Sequence, residues 1–473
     1  MDIFPLFNME NKLKGLLLVL DGLVLPLFEE LVKQGKMPNF SEHLIGRKML
    51  NVRSAFSCHP SSTYENMQAI NTGQFPLDPG ATYFSSSTSN IVDLLRVDNT
   101  SKGFCAKKRT IFHHVSNSVS IHNPWNDGAD DKHPNIYSLN SAWYALGWEG
   151  SNFAAVERYL RTLKNKNPSF TEIWFPAYDR FAHTLSKDKL LKRYELFDRH
   201  LGKIVKGMKE AGTYNNTVIM LLSDHSMEDV SCNTNPNELV LNAGLRPKIA
   251  RRTKEFDSRV FAYGYSVGQL YLTGADDNRL EQILLDLANQ EPVEHVVKRV
   301  SDDVKIVYSK EAVVQIEKVD SKYKMTVLSG VNPFGYSDSL TAILGRYHTA
   351  RESLELTSKE NQPDAVVGIA EGMNHPDAPP IRFLAAGGYA FGKIRNGTHF
   401  PAYFNANRIR THGNLHREQS QVPMIISGPK GVVDYREVEC ARVIDWMPTF
   451  LDIAGYKSDD KIDGISLLSL PSL

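Results

Sequence analysis

Residues 16–22 read LLLVLDG, five consecutive apolar residues followed by an acid and a glycine. A strand with one face in water alternates apolar and polar residues, whereas an unbroken run is buried on both faces, as a central strand of a parallel sheet is. The Asp-Gly that closes the run puts a carboxylate, Asp21, at the strand's C-terminal edge, where open α/β sheets hold their ligands. The next residues, 25–34, carry Leu27, Phe28, Leu31 and Val32 at i, i+1, i+4 and i+5, which predicts a helix.

The same unit recurs. Residues 172–178 (EIWFPAY) run into Asp179, and residues 217–222 (TVIMLL) run into Ser223 and Asp224. Between them Leu191, Tyr194, Phe197, Leu201, Ile204 and Met208 follow steps of three and four, which predicts a helix over 190–210. Strand, helix, strand is the signature of the α/β class, a mostly parallel sheet between layers of helices. A fourth run, 422–427 (VPMIIS), precedes Gly428-Pro429, and a helix over 444–455 follows. Between about residues 245 and 400 the rhythm changes: strands are expected at 267–272 and 304–307, an amphipathic helix at 279–289 and a hairpin at 313–327. The expected organisation is a core of residues 1–244 and 401–473, in which 81–170 line the pocket, with a smaller α+β insertion or cap over 245–400. There is no fixed-period repeat.

Composition narrows the function classes. With 54 basic and 54 acidic residues in 473 the net charge is zero, so no global field favours a nucleic-acid polymer or an anionic membrane as partner. The N-terminal residues, with Asp2, Glu10, Lys12 and Lys14 ahead of the apolar run, lack the order of a signal peptide. The run itself is far shorter than the roughly 18 residues of a membrane span. The expectation is a cytoplasmic protein without a span. Cys58, Cys105, Cys232 and Cys440 form no CxxC pair and read as isolated reduced thiols. Nothing in the sequence indicates an oligomeric state.

The chemistry-bearing residues gather at the strand ends: Asp21, Asp179 with His183, Asp224 with His225, and later His412. Carboxylate oxygens with imidazole nitrogens suit zinc, and also manganese or iron. On a helix after Tyr178, Asp179 and His183 would be i and i+4 and could meet one ion. Alone, an Asp-x-x-x-His pair is usually a surface ion pair and Asp-His an ordinary turn; three apolar runs delivering an acid to one sheet edge make the metal reading the stronger. The four histidines His113, His114, His122 and His133, near Asp127, Asp130 and Asp131, repeat no ligand spacing and read as a polar loop.

Residues 58–80, CHPSSTYENMQAINTGQFPLDPG, place Ser61, Ser62 and Thr63 before a helical stretch at 64–70. They could be plain N-caps or the start of an anion site. Here the chain resembles the alkaline phosphatase superfamily, and within it the type I phosphodiesterase/nucleotide pyrophosphatase branch. In that branch the nucleophilic Thr is followed at three residues by Asn and at nine by the Thr of a Thr-Gly-x-x-Pro turn; Thr63, Asn66, Thr72, Gly73 and Pro76 fit. Cys58-His59-Pro60 is similar to the sulfatase Cys-x-Pro-x-Arg signature, but Ser62 stands where Arg is needed and Cys58 is out of register. Ser62, one residue off, is the runner-up nucleophile.

The resemblance implies an alkaline-phosphatase-like fold and two divalent ions, zinc first and manganese the alternative. Asp21, Thr63, Asp224 and His225 would hold one, and Asp179, His183 and His412 the other. Residues 411–429, Asp445 to Thr449 and Asp463-Gly464 are similar to the branch's closing segments. Two positions depart: Glu65 replaces a Pro and Ser226 a Gly. The implied activity is hydrolysis of a small phosphodiester or nucleotide through a phospho-threonine, with Asn66 touching substrate and His416, four residues after His412, as a partner of the ligand set. Two dications, three carboxylates and an ionised Thr63 sum to zero, so an anionic substrate is admitted. Phosphomonoesterase, phosphonate hydrolase and phosphomutase activities share this core, and a non-catalytic scaffold is the alternative of another class.

Overall fold

The computed structural model of the chain describes residues 13–77, 80, 82–85, 87–88, 90–93, 108–133, 149–248, 255–263, 266–273, 277–392 and 408–472. The central sheet is built on β1 (Lys14–Leu20), β2 (Lys48–Phe56), β3 (Ser118–Ile121), β4 (Asp131–His133), β5 (Phe170–Phe175), β6 (Thr217–Leu222), β7 (Met424–Ser427) and β8 (Arg436–Arg442). β1 lies between β5 and β6, parallel to both, with Leu16 opposite Thr171 on one side and Ile219 on the other. β3 and β4 extend the parallel array beyond β5. On the far side β7 is antiparallel to both β6 and β2, while β8 is parallel to β2. The fourth apolar run is therefore a strand but a reversed one, interrupted at Pro423, which has no N–H to give the ladder.

The unbroken apolar runs do what their pattern requires. Leu16, Leu18 and Leu20 face one layer with Ile173, Phe175, Ile219 and Leu221, while Leu17 and Val19 face the other with Trp174, Met220 and Leu222. The first layer is covered by α1 (Leu25–Lys33), α3 (Glu149–Lys166) and α5 (Lys187–Glu210), the second by α2 (Thr63–Thr72) and α6 (Trp446–Ala454). The fully buried stripe of α5, Tyr194, Phe197, Leu201, Ile204 and Met208, follows the predicted spacing, but at its start Leu190 is buried in place of the expected Leu191. Each such side chain contributes roughly 1.5 to 3 kcal/mol of transfer free energy.

A second, wholly antiparallel sheet contains the strands Ser258–Tyr263, Val267–Leu272, Ile381–Ala385, Val293–Arg299, Val304–Tyr308, Ala312–Val319, Lys322–Gly330 and His348–Thr349, in that spatial order. The hairpin turn sits at Asp320-Ser321, both with positive φ, as a tight two-residue connection demands. Four of its strands are not marked by the sequence pattern, among them Val293–Arg299 and Ile381–Ala385, which bury His295 and Arg382, polar residues that break the apolar run. One face shares an apolar cluster with the central sheet through the helix Ala365–Glu371. Among the described residues no helix is long and apolar enough to cross a membrane.

Candidate two-metal site

Strand direction brings the site together. β1, β5 and β6 are parallel, so Asp21, Asp179 and Asp224-His225, which follow their C-terminal ends, meet at one sheet edge. Asp179 stands in the first turn of α4 (Ala177–Thr184), one turn before His183, as predicted. β2 is antiparallel to β7, which is antiparallel to β6, so β2 also ends at this edge and leads through residues 57–62 into α2. His412 arrives on the chain that enters the reversed strand from the same side, anchored where Arg410–Thr411 pairs with Glu228–Asp229.

All seven expected ligands are buried. Thr63 Oγ1 lies 3.3 Å from Asp21 Oδ1 and 3.1 Å from His225 Nε2. Asp179 Oδ1 is 3.2 Å from His183 Nε2 and 3.6 Å from His412 Nε2. The rings of His225 and His412 stack with centroids 3.7 Å apart and planes 14° from parallel. Donor atoms of Asp21, Asp224 and His225 lie within 4.8 Å of one another, and so do those of Asp179, His225 and His412. His225 thus faces both groups, a sharing that the assignment of His225 to one ion did not anticipate.

Each imidazole is turned by a backbone carbonyl. Nδ1 of His183 lies 2.7 Å from Arg410 O, that of His412 3.0 Å from Ser61 O, and that of His225 3.1 Å from Ser226 O. A carbonyl accepts only from N–H, so Nδ1 carries the proton and Nε2 turns its lone pair into the site. Burial and the nearby Arg408 hold the pKa of His183 down, and burial with the neighbouring His225 holds that of His412 down, which keeps both neutral. Burial, then the charges of Asp224 and Asp179, push Asp21 well above the usual carboxylate range.

Like charges about 4 Å apart repel by roughly 4 kcal/mol even at an effective dielectric of 20. Asp21 Oδ2 and Asp224 Oδ2 are buried oxygens that accept no hydrogen bond. Orphaned carboxylate oxygens beside inward-facing imidazole lone pairs fit divalent cations, and the mixed N/O donor set suits zinc.

The supporting backbone explains several residues. Gly22 takes a left-handed φ of +62°, and a Cβ there would stand 2.9 Å from Asp179 Cα, so only glycine lets the two acid-bearing turns approach. Its N–H donates to Asp224 Oδ1 at 3.0 Å. Ser223 Oγ donates to Leu20 O at 2.6 Å and accepts from Leu23 N–H at 3.1 Å. Ser226 uses its hydroxyl, accepting from Leu25 N–H at 3.3 Å. Glu65 is buried in the first turn of α2.

Two residues make contacts other than those expected of them. Asn66, read as a substrate contact, is committed to the loop before Thr63: its Oδ1 accepts from Cys58 N–H at 2.6 Å and its Nδ2 reaches the carbonyls of Pro60 and Ser62 at 2.9 and 3.0 Å. His416 does not support the ring of His412; its nitrogens bond Glu228 and Glu294. Thr63, rather than Ser62, presents its hydroxyl to the acid cluster. Burial raises the pKa of the Cys58 thiol, leaving it un-ionised and unsuited to a sulfatase role. Cys232 and Cys440 are free, and Cys105 lies outside the described residues. His113, His114 and His133 pair separately with Asp127, Asp460 and Asp131. Arg410 escaped the sequence reading: its Nη1 donates to the carbonyls of Ala182 and Leu185, both at 3.0 Å, and its own carbonyl turns His183. No local motif marks that role.

Residues 16–366 match the family described as type I phosphodiesterase/nucleotide pyrophosphatase. Among curated proteins the chain is similar to a venom phosphodiesterase of Naja atra, 31% identical over 80 residues, 16% of this chain and 10% of that protein. It is also similar to venom phosphodiesterase 2 of Crotalus adamanteus, 24% identical over 200 residues, 37% of this chain and 22% of that protein. Ectonucleotide pyrophosphatase/phosphodiesterase family member 3 of Rattus norvegicus is 26% identical over 190 residues, 37% of this chain and 21% of that protein. These matches span only 10% to 22% of the relatives' own length. Among solved structures the chain is similar to murine ectonucleotide pyrophosphatase/phosphodiesterase 5, with TM-score 0.58 and 14% identity over 95% of this chain and 97% of that one. An inactive threonine-to-alanine form of that murine protein, in complex with AMP, matches at TM-score 0.58 and 13% identity over 96% and 97% of the two chains. The shared architecture is the alkaline-phosphatase-like α/β fold.

Proposed function

The chain belongs to the type I phosphodiesterase/nucleotide pyrophosphatase family, and from that premise we propose that it hydrolyses a small phosphodiester or nucleotide through Thr63. The observation that carries this reading is the Thr63 hydroxyl, buried at the start of α2 between Asp21 at 3.3 Å and His225 at 3.1 Å. Asp21, Thr63, Asp224 and His225 would hold one divalent cation and Asp179, His183 and His412 the other, with zinc favoured by the donors and manganese the alternative. When bound, the cations lower the pKa of the hydroxyl and offset phosphoryl charge.

Thr63 Oγ1 forms a bond to phosphorus while the bond to the departing ester oxygen breaks; that oxygen leaves with the electron pair and takes a proton. Water displaces Thr63 from phosphorus in a second step, restoring the hydroxyl. The N-terminus of α2 favours the negative charge of the phosphoryl group. Asn66 contributes by holding the loop over residues 58–62, and with it the position of Thr63. The AMP complex of the murine structural neighbour supports a nucleotide-type substrate. Residues 81–170 and the antiparallel sheet would set the leaving group.

The test is turnover of a chromogenic phosphodiester and of its matching monoester by one zinc-loaded preparation, beside Thr63→Ala. Preference for the diester that disappears in the variant is expected. Undiminished activity of Thr63→Ala would exclude Thr63 as nucleophile, and preference for the monoester would move the assignment to a phosphatase.

A further inference from the structure

We propose that His416 is a positioning residue that clamps both ligand-bearing loops to the antiparallel sheet, so that metal retention at the candidate site depends on a contact outside the ligand set. The inference rests on the metal-binding reading above. His416 Nδ1 lies 2.8 Å from Glu228 Oε2, and its Nε2 lies 2.7 Å from Glu294 Oε2. Glu228 comes three residues after His225, and His416 four residues after His412. Glu294 belongs to the strand Val293–Arg299. One ring therefore ties the loop of His225, the loop of His412 and the second sheet together.

The charge state makes the clamp specific. A carboxylate at each nitrogen requires a proton at each, so the ring is an imidazolium. Burial opposes this state, but the two carboxylates prevail and raise the pKa of His416 to about 10. Without the cation, two half-buried carboxylates would face each other and separate, drawing the chain beside His225 away from the second sheet, while the chain beside His412 would lose its tie to both.

Among the described residues, the other hydrogen-bond partners of the two carboxylates are neutral. Glu228 also accepts from Gln419 Nε2 at 2.8 Å and from Gly388 N–H at 3.0 Å. Asn414 Oδ1 accepts the N–H of His416 at 2.9 Å, while its Nδ2 donates to Ala385 O at 3.2 Å. His295, adjacent to Glu294, places Nε2 2.9 Å from Gln362 Oε1, and burial lowers its pKa. Arg417 turns away, to the carbonyls of Ser358 and Glu360. A Cβ on Gly387 would stand 3.2 Å from Glu228 Oε1 and 3.3 Å from His416 Cε1, so the contact is close-packed as well as charged.

The experiment is a zinc titration of the full chain at neutral pH against a chromogenic chelator, for wild type, His416→Gln and Glu294→Gln, with near-ultraviolet circular dichroism confirming that each is folded. Loss of a merely structural ion pair lowers resistance to urea and leaves the zinc affinity of the folded protein alone. A clamp predicts affinity about 10-fold weaker in His416→Gln and a smaller loss in Glu294→Gln. Should His416→Gln not fold, Glu294→Gln decides by the same criterion. Folded variants that bind zinc within twofold of wild type would overturn the clamp alone. A wild type that binds no zinc would overturn the metal-binding reading and the clamp with it.

Discussion

Gly22→Ala tests the reasoning at the point where backbone geometry meets chemistry. Gly22 has φ of +62°, and an added Cβ would lie 2.7 Å from Met227 Cε and 2.9 Å from Asp179 Cα. The left-handed backbone costs a residue with a Cβ roughly 1 to 2 kcal/mol. Overpacking adds about 1 to 3 kcal/mol. Met227 can swing its methyl aside, but Asp179 Cα is held in α4 and cannot, so the expected loss is about 2 to 5 kcal/mol. That is a large share of the roughly 5 to 15 kcal/mol by which a domain is stable. Relief of the clash must part the turns bearing Asp21 and Asp179, so zinc should stabilise the variant less than wild type. The control is Gly35→Ala, where φ is +70° and nothing lies within 4 Å of the added Cβ; only the backbone cost applies there. Urea unfolding with and without zinc, on all three proteins, measures both terms. Equal losses and equal zinc responses in the two variants would refute the close-approach argument.

The other predictions concern charge. Burial raises Glu172 to about 8 against the hydrogen bonds from Asn123 and Asn71. Between pH 4.5 and 8 the folded chain keeps a proton that the unfolded chain has released, so stability should fall as pH rises through that window, by roughly 3 to 5 kcal/mol. Glu172→Gln should flatten this fall in urea unfolding measured at stepped pH. The raised pKa of His416 has the matching consequence for a base: its stabilisation is complete below about 6.5 and lost as pH rises through about 10. The difference in unfolding free energy between wild type and His416→Gln should shrink across that range; a constant difference would deny the imidazolium. Chelation should lower the thermal midpoint, and added zinc should restore it, because clustered Asp21, Asp179 and Asp224 then lose their counter-charge. Arg442→Met, which strands Asp364 after loss of contacts at 2.6 and 2.7 Å, should cost about 3 to 5 kcal/mol in urea unfolding without altering zinc affinity.

Some of this architecture is a property of the sequence alone. Leu16–Leu20 and Thr217–Leu222 had to be strands covered on both faces, because an extended chain turns successive side chains to opposite sides and neither side of these runs tolerates water. The stripe on α5, the i, i+4 pairing of Asp179 with His183, and Thr63 at a helix start follow from equally local periodicities. What only the tertiary structure decided is the set of long-range partners. Met424–Ser427 has the apolar content of a parallel strand, and its reversal depends on how the preceding chain enters the sheet. Asn66 and His416 resemble site residues by spacing, yet Asn66 is spent on backbone 4 to 8 residues away and His416 on a carboxylate 122 residues away. The inward turn of His183 comes from Arg410 O, a backbone atom 227 residues distant. Hydrophobic periodicity is written residue by residue, whereas a carbonyl or carboxylate becomes a partner only once folding has closed the loops between them, and no local pattern records that.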